Sequence, residues 1–185
     1  MKAGVFVLGG PGCGKGTQCS LLVENHNCVH VWAGELIRQE MKKDTEEAKI
    51  IHGLLSEGKL VPSSISWTLL KNSLDLYTDC SKLYLIDGYP RKHENYDEWV
   101  VQNDQSDNKV DIKWVLYIEV PDDIMLERVI ERAKIENREF DDLGMYFFFW
   151  FSFQILLYTY RHCKETSPII LWWNLSCYQA VPRWL

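Results

Sequence analysis

Residues 9–17 read GGPGCGKGT, a run of glycines closed by a lysine and, two places later, a threonine. Glycines let successive backbone N–H groups turn toward one anion, and a helix that starts here adds the positive potential of its N-terminus. A lysine at this spacing can reach the outer phosphates of a nucleotide as a point charge, while a glycine turn that merely joined two elements would not need it. The residues that could hold a phosphate chain are therefore Gly12, Cys13, Gly14, Lys15, Gly16 and Thr17.

Such a loop works only between a buried strand and a helix, and its flanks read that way. AGVFVLGG is a short buried strand running into the glycines, and TQCSLLVEN after it has helical character. Residues 34–57 are mostly helical, EGKLVP breaks the pattern at Gly58 and Pro62, and SSISWTLLKNSLDLY resumes it with Ser63 or Ser64 as N-cap. KLYLID is a second strand ending on Asp87, and a helix over RKHENYDEWVVQ and a polar loop follow. KWVLYIEV is a third strand, before a helix led by Pro121. Strands alternating with helices imply right-handed crossovers, hence an α/β fold whose parallel sheet is flanked by helices. With 185 residues, a single domain over 1–185 is expected.

The net charge of −6 argues against a nucleic-acid partner, since tracking a phosphate backbone needs a basic excess. Met1–Leu8 lacks the charged, apolar and small-residue pattern of a secretory signal, so a cytoplasmic location, with the nucleus as an additional one, is expected. The six cysteines show no metal-like or paired spacing and read as reduced thiols. NKVD at 108–111 spells a guanine-reading motif of GTPases, but it precedes its strand, and the single DxxG, Asp141–Gly144, comes after it. That order is wrong for a GTPase.

The common phosphate-loop pattern places Ser or Thr directly after the lysine, whereas Gly16 stands here and Thr17 follows. GPGxGKGT resembles the adenylate kinase family, which includes the UMP/CMP kinases, and further motifs of that family follow in order. WAGELIR (32–38) resembles the monophosphate-site segment, EGKLVP (57–62) the segment lining the acceptor nucleoside, and DGYPR (87–91) the strand end that serves both substrates. The resemblance implies a three-layer phosphate-loop fold with a helical acceptor-binding segment at 31–61 and a short lid at 132–142. It implies ATP and Mg²⁺ as donor and cofactor, nucleotides as the small-molecule partners, no membrane partner, and a monomer.

Residue by residue, it implies that Arg38 and Arg91 grip the acceptor phosphate and that Asp87 orients the waters of Mg²⁺. Ala33, Gly34, Lys59, Leu60, Val61, Gly88, Tyr89, Pro90 and Asn95 line the acceptor site, and Arg132 and Arg138 close from the lid, with Lys15 on the donor. Bidentate arginine suits phosphate because the guanidinium fork matches two oxygens. The resemblance implies that Lys15, Arg91, Arg132 and Arg138 form the catalytic set, in keeping with phosphoryl transfer's need for alignment and positive charge rather than a nucleophilic side chain. Arg128 reads as part of a charged, exposed helix face. Adenylate kinases carry Gln four residues after the Arg of DGYPR and UMP/CMP kinases carry Asn; Asn95 stands here. That favours CMP or UMP, with dCMP a further candidate, although Trp32 and His93 replace the Ser and Gln of the UMP/CMP pattern.

The resemblance covers residues 3–142 and 158–170. Asp141 and Asp142 resemble the lid's paired acids, displaced by one place. At 143–157 the chain turns apolar and aromatic, with Phe147, Phe148, Phe149, Trp150, Phe151 and Phe153, and Leu156 stands where the family places an arginine before a tyrosine matching Tyr160. The run is shorter than the roughly 20 apolar residues of a membrane span. LWWNLSCYQAVPRWL does not resemble the family's last strand and helix. An alternative reading is therefore a nucleotide-binding relative that transfers poorly.

Overall fold

The computed structural model describes residues 1–136 and 169–174. Strand β1 (Lys2–Leu8) enters the glycine loop, and α1 (Lys15–Asn25) leaves it. There follow β2 (Cys28–Trp32), α2 (Ala33–Met41), α3 (Glu46–Ser56), α4 (Ser63–Asp75) and β3 (Leu83–Asp87). The remaining elements are α5 (His93–Gln105), β4 (Val110–Glu119), α6 (Asp122–Glu136) and β5 (Ile169–Asn174). The strands form one sheet in the order β2-β3-β1-β4-β5, and every pairing is parallel. The α/β fold expected from strand–helix alternation is the fold observed.

Strand alternation sends side chains to both faces, and both are covered. Phe6 and Leu8 of β1 join Tyr84, Ile86, Trp67, Leu70 and Trp99 in one core, against α4 and α5. Val5 and Val7 join Leu85, Cys19, Met125 and Val129 in the other, against α1 and α6. A third core of Ile37, Ile51, Leu55 and Val61 lies within the segment that α2 and α3 build. That segment thus has apolar packing of its own.

Four features differ from the expectations drawn from the sequence. Strand β2 went unread because CVHVW is short, and its alternation buries Val29 and Val31 while leaving Cys28, His30 and Trp32 partly exposed, as an edge strand does. The helical stretch at 34–57 is two helices, the second capped by Thr45, whose Oγ1 accepts from Ala48 N at 3.1 Å. Ser63 is the first residue of α4 and Pro62 its cap, instead of a serine cap. Leu171–Asn174, read as unlike the family's last strand, belong to β5 and pair with β4 from Leu116 to Glu119. Edge pairing on a parallel sheet needs backbone geometry, which a run of large apolar residues supplies as well as any other.

NKVD has a structural task. Asn108 Nδ2 donates to Leu74 O at 3.2 Å and to Asp75 Oδ1 at 3.1 Å, and Lys109 pairs with Asp104 at 2.8 Å, fixing the entry to β4. Among the described residues no helix is long and apolar enough to cross a membrane. Arg138, Asp141, Asp142, Leu156, Tyr160, the lid beyond Glu136 and the apolar stretch 143–157 lie outside the described residues.

Candidate active site

Because all five strands run parallel, the loops after β1, β2 and β3 open on one edge of the sheet, the position at which α/β folds bind ligands. The loop after β1 turns through Gly12 at φ 82° and Gly14 at φ 91°, both left-handed. Gly12 has a second reason to be glycine: a Cβ there would stand 2.3 Å from Met125 O and 3.1 Å from Val129 Cγ2 of α6. Helix α1 starts at Lys15, and the first N–H groups of a helix have no partner within it, so they face the loop's hollow. Lys15 folds over the same loop, its Nζ donating to Gly9 O at 2.7 Å and Gly10 O at 2.9 Å and reaching Cys13 Sγ at 3.5 Å. An incoming phosphate would find this ammonium already at the loop.

Asp87 ends β3 beside that loop. It is fully buried, its Oδ2 meets His30 Nε2 at 3.1 Å, and its Oδ1 has no hydrogen-bond partner. A Cβ placed on Gly16 of the loop would lie 3.9 Å from Oδ2. A buried carboxylate oxygen without a partner is costly unless a ligand satisfies it. The water shell of a divalent cation held by nucleotide phosphates suits this atom, so the residues fit Mg²⁺ with ATP.

Close to Asp87, three donors converge. A methyl group placed on Gly34 would meet Arg91 Nη2 at 3.1 Å, Trp32 Nε1 at 3.2 Å and Arg38 Nη1 at 3.3 Å. The two guanidiniums repel, and burial first, then Arg38, hold the Arg91 guanidinium down to about 10, against the pull of Asp87. Arg91 Nε donates to Gly88 O at 3.0 Å, which aims its fork, and Arg38 is held by Glu35 Oε2 at 2.9 Å. Arg38 also lies 4.6 Å from the centre of the Trp32 ring, a cation–π contact. Trp32 is the residue the sequence reading left without a task.

Beside these donors opens a narrow cleft. It is lined by Ala33, Leu60, Val61, Gly88, Tyr89, Arg91 and Asn95 from the sequence reading, and by Leu36, Ile37, Ser66, Leu69 and Leu70 that it missed. Leu36, Ile37, Leu69 and Leu70 carry the ordinary apolar spacing of α2 and α4, Ser66 is a buried polar residue of α4, and none bears a signal of its own. Lys59 is exposed and pairs with Glu57 at 2.6 Å, its backbone N–H bonding Leu54 O at 2.8 Å. Asn95 has structural work besides: its Oδ1 accepts from Arg91 N at 3.1 Å and Lys92 N at 3.2 Å, and its Nδ2 donates to Ser63 Oγ at 3.1 Å. Tyr89 is likewise committed, its hydroxyl donating to Asn95 O at 2.6 Å.

The adenylate kinase family model matches residues 7–173. The chain belongs to the adenylate kinase family. Members of that family are nucleoside monophosphate kinases, phosphotransferases that act on nucleotides. The match runs three residues past the end of the sequence resemblance, into β5. Over 170 residues the chain is 40% identical to the UMP-CMP kinase of Danio rerio and 42% to that of Homo sapiens, covering 90% of this chain and 81% of each relative. The uridylate kinase of Saccharomyces cerevisiae is 38% identical over 144 residues, 75% of this chain and 66% of that protein. Within the adenylate kinase fold seen here, Arg132 stands on α6 one turn after Arg128, whose Nη1 lies 3.5 Å from Gly12 O. The sequence reading gave Arg128 to solvent; only the packing of α6 on the loop brings it near.

Proposed function

We propose that this chain transfers the terminal phosphate of ATP to a pyrimidine nucleoside monophosphate, CMP or UMP, with dCMP a further candidate. The observation that carries the proposal is the convergence of Arg91, Arg38 and Trp32 donors on one point, with Asp87 acting on Arg91 and standing beside Gly16 of the glycine loop. One site suits a phosphate chain and the other a single phosphate, as in-line transfer between two nucleotides requires. The relatives named for UMP and CMP, and Asn95 in the cleft, support a pyrimidine acceptor.

Lys15 and the α1 N-terminus hold the donor phosphates, and Asp87 holds the cation's water shell. Mg²⁺ supplies charge neutralisation along the phosphates. Arg38 and Arg91 fix the acceptor phosphate, with Arg132 and Arg138 closing from the lid side over the transferred group. The apolar cleft walls exclude water, so transfer is favoured over hydrolysis. No side chain becomes covalently attached, and the acceptor phosphate oxygen is the nucleophile.

A coupled assay with ATP and Mg²⁺ tests the reading: CMP or UMP turns over fastest, and AMP turning over faster than both sinks the pyrimidine assignment. Asn95→Gln then shifts the ratio toward AMP. A second reading, ATP binding with poor transfer, is favoured by Leu156 at a place where the family pattern has arginine. Titrating ATP separates the two, since tight ATP binding with turnover lower on the order of 10³-fold than in a chain carrying Leu156→Arg and a polar 143–157 supports the second.

A further inference from the structure

Behind the phosphate loop, α1, β2 and β3 bring together three different metal-ligating side chains that phosphoryl transfer does not need as a set. Ligand atoms of Cys19, His30 and Asp87 all lie within 4.8 Å of one another. His30 Nε2 stands 3.1 Å from Asp87 Oδ2, Cys19 and Asp87 are fully buried, and the His30 side chain is 17% exposed, which leaves one side open to an ion. Asp87 Oδ1 has no partner. Among the described residues, no other cluster of three such groups is present.

The dimensions suit one ion class. Zinc bonds of about 2.0 Å to nitrogen and oxygen and about 2.3 Å to sulfur put tetrahedral ligand atoms roughly 3.3–3.7 Å apart. The His–Asp pair is within a few tenths of an ångström of that spacing, and Cys19 Sγ lies within 4.8 Å of both partners' ligand atoms. The Trp32 ring lies parallel to the imidazole, 11° between planes and 6.1 Å between centres, and so limits how far His30 can turn. A sulfur and a nitrogen ligand select Zn²⁺ over Mg²⁺, which demands oxygen and keeps its waters.

We propose that Cys19, His30 and Asp87 form a Zn²⁺ site whose fourth position is a water on the side of the glycine loop, and that the ion there takes Asp87 out of service for Mg²⁺. The thiol proton leaves to solvent as the sulfur–zinc bond forms, the imidazole binds in its neutral form, and Asp87 binds ionised. The ligands bind deprotonated, so the metal takes the place of the thiol proton. Zinc affinity therefore rises with pH. This site is separate from the point on which Arg38 and Arg91 converge, and it does not depend on which nucleotide is accepted.

The test uses the reduced full chain without nucleotide and Co²⁺ or Zn²⁺ alone. One equivalent of Co²⁺ gives a thiolate-to-cobalt charge-transfer band with the intense visible bands of a tetrahedral ion, and Zn²⁺ bleaches both. Cys19→Ser removes the charge-transfer band, His30→Gln weakens Zn²⁺ at least 10-fold, a loss on the scale that even a supporting partner of a metal site carries, and Cys80→Ser, at an exposed thiol, changes neither. Absence of the band in the unaltered chain overturns the proposal, whether or not any variant folds. So does a band that persists in Cys19→Ser, or unchanged Zn²⁺ affinity in His30→Gln, because the ion then sits at another thiol.

Discussion

The two halves of the site are made of different material. The donor side is mostly backbone: Gly12 and Gly14 at positive φ, the free start of α1, and one lysine, all within residues 9–17. The acceptor side is mostly side chain, with Trp32 and Arg38 from the β2–α2 corner, Arg91 after β3, Asn95 from α5, and Leu60 and Val61 after α3. A site built from backbone tolerates change at its side chains and fails when the chain cannot turn. A site built from side chains fails one contact at a time.

The largest effect falls on the lysine, the donor side's charged side chain. Lys15→Ala lowers turnover on the order of 10³-fold, the scale on which one donor aimed at developing charge acts. Its melting temperature stays close to that of the unaltered chain, because Lys15 is half-buried and bonds only atoms of its own loop, Gly9 O, Gly10 O and Cys13 Sγ. A matching collapse of melting temperature would mean that the loop is held by its lysine and not by its backbone.

Arg91→Ala removes a charged, part-buried donor and raises the acceptor KM roughly 10- to 100-fold. ATP affinity, measured without acceptor, stays unchanged. An equal loss on both substrates would erase the distinction between the halves. Gly12→Ala reverses the pattern, since the added Cβ meets Met125 O at 2.3 Å in a left-handed conformation. It costs about 1–3 kcal/mol of stability for the backbone alone, read as a lower melting temperature, and weakens ATP more than the acceptor.

Smaller effects probe the acceptor side's supports. Trp32→Ser removes the ring 4.6 Å from Arg38 and one donor of the converging three, raising the acceptor KM about 2- to 5-fold with kcat changed less. An unchanged KM would return Trp32 to a surface role. Thr45→Ala deletes the α3 cap and costs about 1 kcal/mol, a fall of roughly 2–4 °C in melting temperature.

What the sequence determined by itself is whatever is coded locally. The phosphate loop was legible because glycines, a lysine and the strand–helix flanks occupy one short run, and the strand–helix alternation fixed a parallel sheet through general chirality. Arg38, Asp87 and Arg91 could be named as candidates, but nothing in their spacing says that Arg91 and Arg38 meet at one point, or that Trp32 joins them. That convergence rests on β2 pairing with β3 from Cys28 to Trp32, so that Trp32 stands level with Asp87. The task of Asn95 in bonding Arg91 and Lys92, the approach of Arg128 to Gly12, and the meeting of Cys19, His30 and Asp87 were likewise decided by tertiary structure. The reason is physical: a turn or a cap is settled by neighbours in the chain, whereas a cluster of side chains is settled by which strands lie side by side, and that is chosen by the packing of two sheet faces at once.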